Sequence, residues 1–238
     1  MTTVHVGLPV LHGEIARYAQ KFDLLEVRPV DTPLPKASRL AKWRKDVPPA
    51  FVFSVVLPSI VCELRTGDEA AAAKALATAL EVSVALEARC IVIPTPVAVT
   101  PTALNKKRLA ALVAKLPADA VTLAWEPRGI WDVAEAGRFA KELGVQLVVD
   151  AALEKPPRGA VMYTRLRGLG VSTRLGPSGL ERVRAAIAGR REVYVVVESN
   201  APMRVAEALR RPIEGPPRMS SGSVVRPLVR ISAEDEEQ

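Results

Sequence analysis

Histidine, cysteine and aromatic side chains are scarce in this sequence of 238 residues, and each scarcity removes a class of function. Two histidines, His5 and His12, cannot build a multi-histidine metal centre. The two cysteines, Cys62 and Cys90, lie in different elements without the C-x-x-C spacing of a metal or redox pair, so they read as reduced, buried thiols. Aromatic residues make up 4% of the chain, too few for the stacking platforms that hold single-stranded nucleic acid. No apolar run reaches the ~18–20 residues of a membrane span, because Glu, Lys, Arg or Pro interrupts each candidate. The start, Met-Thr-Thr-Val-His, lacks the basic region and cleavage site of a secretory signal. A cytoplasmic protein without a membrane partner is expected.

What the sequence does contain is apolar content and positive charge. Hydrophobic residues make up 49%, enough to bury a sizeable core, and chains of this length fold as single α/β barrels. The formal net charge is +7 even though the sequence closes on the acidic run Glu234, Asp235, Glu236 and Glu237. Such a body attracts anions, whether a small anionic ligand or nucleic acid.

Short β-branched runs alternate with longer amphipathic segments, the pattern of βα units around a parallel sheet. There are eight such runs: Val4–Leu8, Leu24–Arg28, Phe51–Leu57, Cys90–Pro94, Val121–Arg128, Val145–Asp150, Val161–Arg167 and Val193–Ser199. With no G-x-G-x-x-G after the first run, they predict a closed (β/α)8 TIM-like barrel, not a dinucleotide-binding open sheet. Helices are expected over His12–Lys21, Lys36–Asp46, Glu69–Ala88, Ala103–Lys115, Trp131–Leu143, Pro177–Ala188 and Ala201–Arg211. In the third of these, Asp68 is the expected N-cap and Leu76, Leu80 and Val84 the barrel-facing stripe. Pro156-Pro157 leaves Ala151–Arg158 helix-free. The barrel domain is expected over residues 1–214, and residues 215–238 read as a poorly structured C-terminal tail.

Alternation along the strands sorts their residues into two faces. One parity is almost wholly apolar, as in Val6, Leu25, Val27, Phe53, Val55, Ile91, Ile93, Leu123, Trp125, Leu147, Leu166, Val195 and Val197, and must face the helices. The other carries nearly every strand charge and concentrates it at C-terminal ends: Glu26, Glu126, Asp150 and Glu198 with Arg28, Arg128, Arg165 and Arg167. Barrel enzymes keep their sites at that end. The stretch Trp125-Glu126-Pro127-Arg128 is its most compact expression, a carboxylate and a guanidinium two residues apart.

At these same residues the sequence resembles the YecE-like family, domain of unknown function 72, over roughly residues 4–212. The resemblance rests on Leu25-Glu26-Val27, Phe51-Val-Phe-Ser-Val55, Ile91-Val-Ile-Pro94, Glu126-Pro-Arg128 with Trp131, Asp150, and Arg165-Leu-Arg167-Gly168. It implies a TIM barrel of this length. Val56 stands where the family has lysine, Arg167 where it has histidine, and Val197-Glu-Ser-Asn200 where it has Phe-Asn-Asn, which marks a divergent member.

Charge placement nominates Glu26, Glu126 and Asp150 as candidate acid–base groups, and Arg28, Arg128, Arg165, Arg167, Glu198 and Asn200 as candidate substrate-binding groups. The expected activity is that of a hydrolase or lyase on a small phosphate- or carboxylate-bearing substrate, with Arg165 and Arg167 as the anion clamp. The alternatives are a non-catalytic barrel used as a binding module, for which structural ion pairs would close the barrel top, and a nucleic-acid-binding or processing protein. No cofactor is expected. Glu26, Glu126, Asp150 and Glu198 form the donor set a divalent metal would need, but the neighbouring arginines oppose a dication.

Overall fold

The computed structural model describes residues 2–29, 36–64, 67–167, 177–198 and 202–210. Along the chain run β1 (Thr3–Leu8), α1 (Ile15–Tyr18), β2 (Leu24–Val27), α2 (Ala37–Lys45), β3 (Val52–Val56), α3 (Ser59–Cys62), α4 (Glu69–Ala85), β4 (Cys90–Thr95), α5 (Ala103–Val113), β5 (Thr122–Pro127), α6 (Val133–Glu142), β6 (Gln146–Leu147), β7 (Val161–Arg167), α7 (Pro177–Ile187), β8 (Glu192–Glu198) and α8 (Pro202–Arg210). The strands pair in the order β6-β5-β4-β3-β2-β1-β8-β7, every pairing parallel. Among the described residues one bridge, Val149 to Thr164, joins the two ends of that order, so the sheet curls into a nearly closed TIM-like barrel.

That seam is where the sequence overstates the sheet. A strand is expected over Val145–Asp150, yet β6 is two residues long. Beyond it, side chains take over the backbone groups. Thr164 Oγ1 donates to Val149 O at 2.7 Å and accepts from Ala151 N at 3.1 Å. Asp150 accepts from Ala152 N at 2.9 Å and Arg167 N at 2.8 Å. Local bonding of this kind competes with a ladder and ends it. The connection that follows is helix-free, as Pro156-Pro157 requires, with turns, bends and irregular backbone over residues 151–160.

The two parities become two cores. The outer one, under the helices, holds Val6, Leu25, Phe53, Ile91, Leu123, Trp125, Leu166 and Val195. The inner one holds Leu24, Val52, Cys90, Val92, Ala124, Tyr163, Tyr194 and Val196. The inner set fills the barrel below the level of the charges, so the charged residues rest on a packed floor. Both cysteines are free and buried, and burial pushes the Cys62 thiol up to about 12.

Close packing at β1 depends on one glycine. A Cβ on Gly7 would lie 1.8 Å from Leu24 O, so no larger residue fits beside β2. The Tyr18 hydroxyl stitches the same strands, accepting from Leu8 N at 2.8 Å and donating to Leu24 O at 2.7 Å. In α4, Asp68 caps as expected, accepting from Ala71 N at 3.0 Å. Of the expected stripe, Leu76 and Leu80 pack half-buried against the core, whereas Val84 is 79% exposed and Ala79, Val82 and Ser83 take the buried positions. The domain boundary at Gly215 and the tail lie outside the described residues.

Candidate functional site

The site starts from how β5 is anchored. Trp125 points outward, its Nε1 donating to Thr95 Oγ1 at 3.0 Å, and Trp131 meets it edge-on with ring centroids 4.8 Å apart. Trp131 Nε1 in turn donates to Val99 O at 2.6 Å. The turn between them needs Gly129 at φ +88°, where a Cβ would stand 3.0 Å from Val97 O. With its neighbour fixed to the outer wall, Glu126 must point into the barrel, where it is buried.

Inside, Arg165 of β7 is the hub. Its side chain is 1% exposed and reaches three carboxylates: Nη2 to Glu26 Oε1 at 2.6 Å, Nε to Glu126 Oε2 at 3.2 Å and Nη1 to Glu198 Oε1 at 2.5 Å. Burial works against its charge, yet the carboxylates outweigh burial and leave the guanidinium pKa raised. Arg167, two residues on, pairs with Glu126 Oε1 and, at 3.4 Å, with Glu198 Oε2. Arg28 lies 3.6 Å from Glu26 Oε2 and 3.7 Å from Glu198 Oε1. Glu26, Glu126 and Glu198 thus face Arg28, Arg165 and Arg167 in a cluster of ion pairs that ties β2, β5, β7 and β8 together.

Tyr163 and Ser54 belong to the same network and were not nominated from the sequence. Tyr163 donates to Glu26 Oε1 at 2.7 Å and shares a 3.0 Å hydrogen bond with Ser54 Oγ. Burial first, then the Glu26 charge, holds its phenol pKa well above the ordinary value. The available signal was parity, since Tyr163 precedes Arg165 by two on one strand face. Within the cluster Glu26 Oε2, Glu126 Oε2 and Arg165 Nε are buried without a well-directed hydrogen bond, although the last two are at ion-pair distance from each other.

The other nominated residues are placed differently. Asp150 lies beyond β6 and its two oxygens are occupied by backbone N–H groups. Burial raises its pKa, and those bonds oppose the rise. Arg128 is exposed and has no ion-pair partner among the described residues. With Arg28 it lines a cleft of about 210 Å³ walled by Pro29, Pro58, Pro94 and Pro96 at the ends of successive strands. A second cleft, about 160 Å³, is lined by Glu126, Asp150, Glu154, Arg165, Arg167 and Trp131, among others. Asn200 lies outside the described residues.

A hollow of about 600 Å³ lies instead on the outer wall between the helix-free connection and α7, where Arg182 and Arg190 border it. It contains none of the clustered carboxylates, so the barrel mouth is the better candidate site. A family model described as protein of unknown function DUF72 matches residues 6–214. The chain belongs to the DUF72 family. Solved structures agree. A DUF72 family protein from Enterococcus faecalis shares 17% identity at a TM-score of 0.69, covering 88% of this chain and 95% of that one. One from Thermotoga maritima shares 17% at 0.65, covering 87% and 96%. An AP endonuclease, family 2, from Brucella melitensis shares 16% at 0.56, covering 84% and 93%. At such identities the likeness is one of fold. No curated protein matches the sequence.

The donor set of this DUF72 protein does not fit a divalent ion. Glu26, Glu126 and Glu198 are each turned to Arg165 and Asp150 to backbone, and no group of three or more potential ligands could hold a metal among the described residues. No described helix is long and apolar enough to cross a membrane.

Proposed function

We propose that this DUF72 protein is a hydrolase or lyase acting on a small substrate that bears a phosphate or carboxylate. Arg128 carries the proposal. At a barrel mouth where Arg28, Arg165 and Arg167 all face carboxylates, it is an exposed guanidinium without an ion-pair partner among the described residues, in a rigid proline-walled cleft shared with Arg28. A guanidinium in such a place suits bidentate recognition of an oxyanion. Glu126, two residues earlier on the same strand end, lines the neighbouring cleft and supplies the carboxylate for proton transfer, with Glu26 behind it. The anion grip therefore shifts from the expected Arg165–Arg167 pair, which the cluster occupies, to Arg28 and Arg128.

The mutual ion pairing in that cluster supports one competing reading, a non-catalytic barrel whose top is closed by ion pairs. A thermal-shift panel of small phosphates and carboxylates on wild type and Arg128→Gln separates the two. The enzyme reading expects at least one anion to stabilise wild type, with its apparent affinity falling about tenfold or more in Arg128→Gln, as loss of a charged hydrogen bond implies. Glu126→Gln should then keep binding and abolish turnover of that compound. Binding by none of the panel, or binding indifferent to Arg128, favours the non-catalytic barrel.

A further inference from the structure

Three arginines converge on one partly exposed carboxylate at the mouth. Arg165 Nη1 is 2.5 Å and Arg28 Nη2 3.7 Å from Glu198 Oε1, and Arg167 Nε is 3.4 Å from Glu198 Oε2. The other two carboxylates of the cluster are enclosed, with side-chain exposures of 0% for Glu26 and 4% for Glu126, and Tyr163 holds Glu26 from a further side. Glu198 differs on both counts. Its side chain is 28% exposed, and it stands on the last residue of β8. Rotation about its own side-chain bonds would take it out into solvent without moving the strand.

We propose that Glu198 is an internal stand-in for a ligand carboxylate: a small monocarboxylate enters between Arg28, Arg165 and Arg167, and Glu198 swings out of the mouth. Shape selects the ligand class, because the slot between the three guanidiniums already holds a planar carboxylate. The planar guanidinium of Arg165 also matches a planar carboxylate. The tethered carboxylate competes at an effective concentration on the order of millimolar or above, so wild type binds an external carboxylate weakly until one arrives with further contacts in the mouth. Glu198 thereby sets a threshold that rejects simple acids.

The proposal rests on the mouth being an anion-recognising site, but its test leaves Arg128 and Glu126 native, so the two readings fail separately. Full-length wild type, Glu198→Ala and Glu198→Gln are titrated with sodium acetate, sodium phosphate and sodium chloride at matched ionic strength, followed by thermal unfolding and calorimetry. Glu198→Ala should lose stability, and acetate should restore it saturably, at concentrations about tenfold or more below any acetate effect on wild type. Chloride and phosphate should not match acetate. Adding Arg167→Gln to Glu198→Ala should weaken the acetate response. If Glu198→Ala folds only with acetate present, that dependence is itself the predicted rescue. If it does not fold at all, acetate binding by the near-isosteric Glu198→Gln decides, tighter than wild type in support and no tighter in refutation. Equal responses to acetate and chloride, stronger rescue by phosphate, or acetate binding by wild type as tight as by the variants each overturn the proposal.

Discussion

Arg165 and Arg128 are the same residue type at the same end of the barrel, yet their surroundings are opposite. Arg165 is enclosed, with a carboxylate at each of Nε, Nη1 and Nη2, while Arg128 is exposed at the rim beside prolines. Coulombic attraction in a poorly hydrated interior is strong, but so is the penalty for stripping water from the charges, and a buried ion cluster persists only when its members stay together. We therefore assign maintenance of the barrel to the hub, and propose recognition for the rim arginine, which has no ion-pair partner among the described residues. Position at a catalytic end does not by itself give a charged residue a chemical role.

The comparison is broken most forcefully at the hub. Arg165→Ala would strip buried Glu26 of its closer counter-charge and leave buried Glu126 to the partly exposed Arg167, and should cost about 3–5 kcal/mol in denaturant unfolding, enough to unfold a marginal domain. Arg165→Lys should recover little, because one ammonium cannot span three carboxylates set around a guanidinium. If either variant keeps wild-type stability, the hub is not structural.

Tyr163→Phe comes next. It removes the donor to Glu26 Oε1 and the partner of Ser54 without changing shape, and should cost about 1–3 kcal/mol for the buried polar groups left unsatisfied. A near-zero change in unfolding free energy would mean that water readily replaces the hydroxyl.

The acid limb of the stability profile offers a smaller and more specific effect. Burial pushes the Glu198 pKa up, but Arg165, Arg167 and Arg28 outweigh it and hold the folded-state value below the ordinary one. For a depressed carboxylate the added stability is fully present above the unfolded glutamate pKa of about 4.3 and is lost as pH falls through the lower folded value. Glu198→Gln should therefore flatten the loss of stability below about pH 4.3. Asp150 acts in the opposite sense, since its raised folded pKa means that protonation relieves a cost as pH falls. An unchanged acid limb in Glu198→Gln would show that Glu198 is not held by the arginines in solution.

Much of this was legible in the sequence, because strand parity has a period of two and survives errors of a residue at either end. Alternation along β5 and β7 alone placed Glu126 and Arg165 inside and Trp125 outside, as the structure has them. Which acid meets which arginine was not legible, because that depends on the angular positions of β2, β5, β7 and β8 around the barrel. Alternation also overran β6, where Asp150 reads as a strand-end acid but serves as a backbone acceptor. The rim cleft went unread because its walls, Pro29, Pro58, Pro94 and Pro96, are scattered through the sequence and meet only when the strand ends are side by side.

Charge reversal at the rim tests most directly whether hub and rim divide maintenance from recognition. Arg128→Glu, compared with wild type by calorimetric titration of a panel anion and by denaturant unfolding, should change unfolding free energy by no more than about 0.5 kcal/mol, the usual range for an exposed site. The same substitution should abolish anion binding. A variant that still binds the anion with wild-type affinity, or that unfolds as readily as Arg165→Ala, would contradict the account.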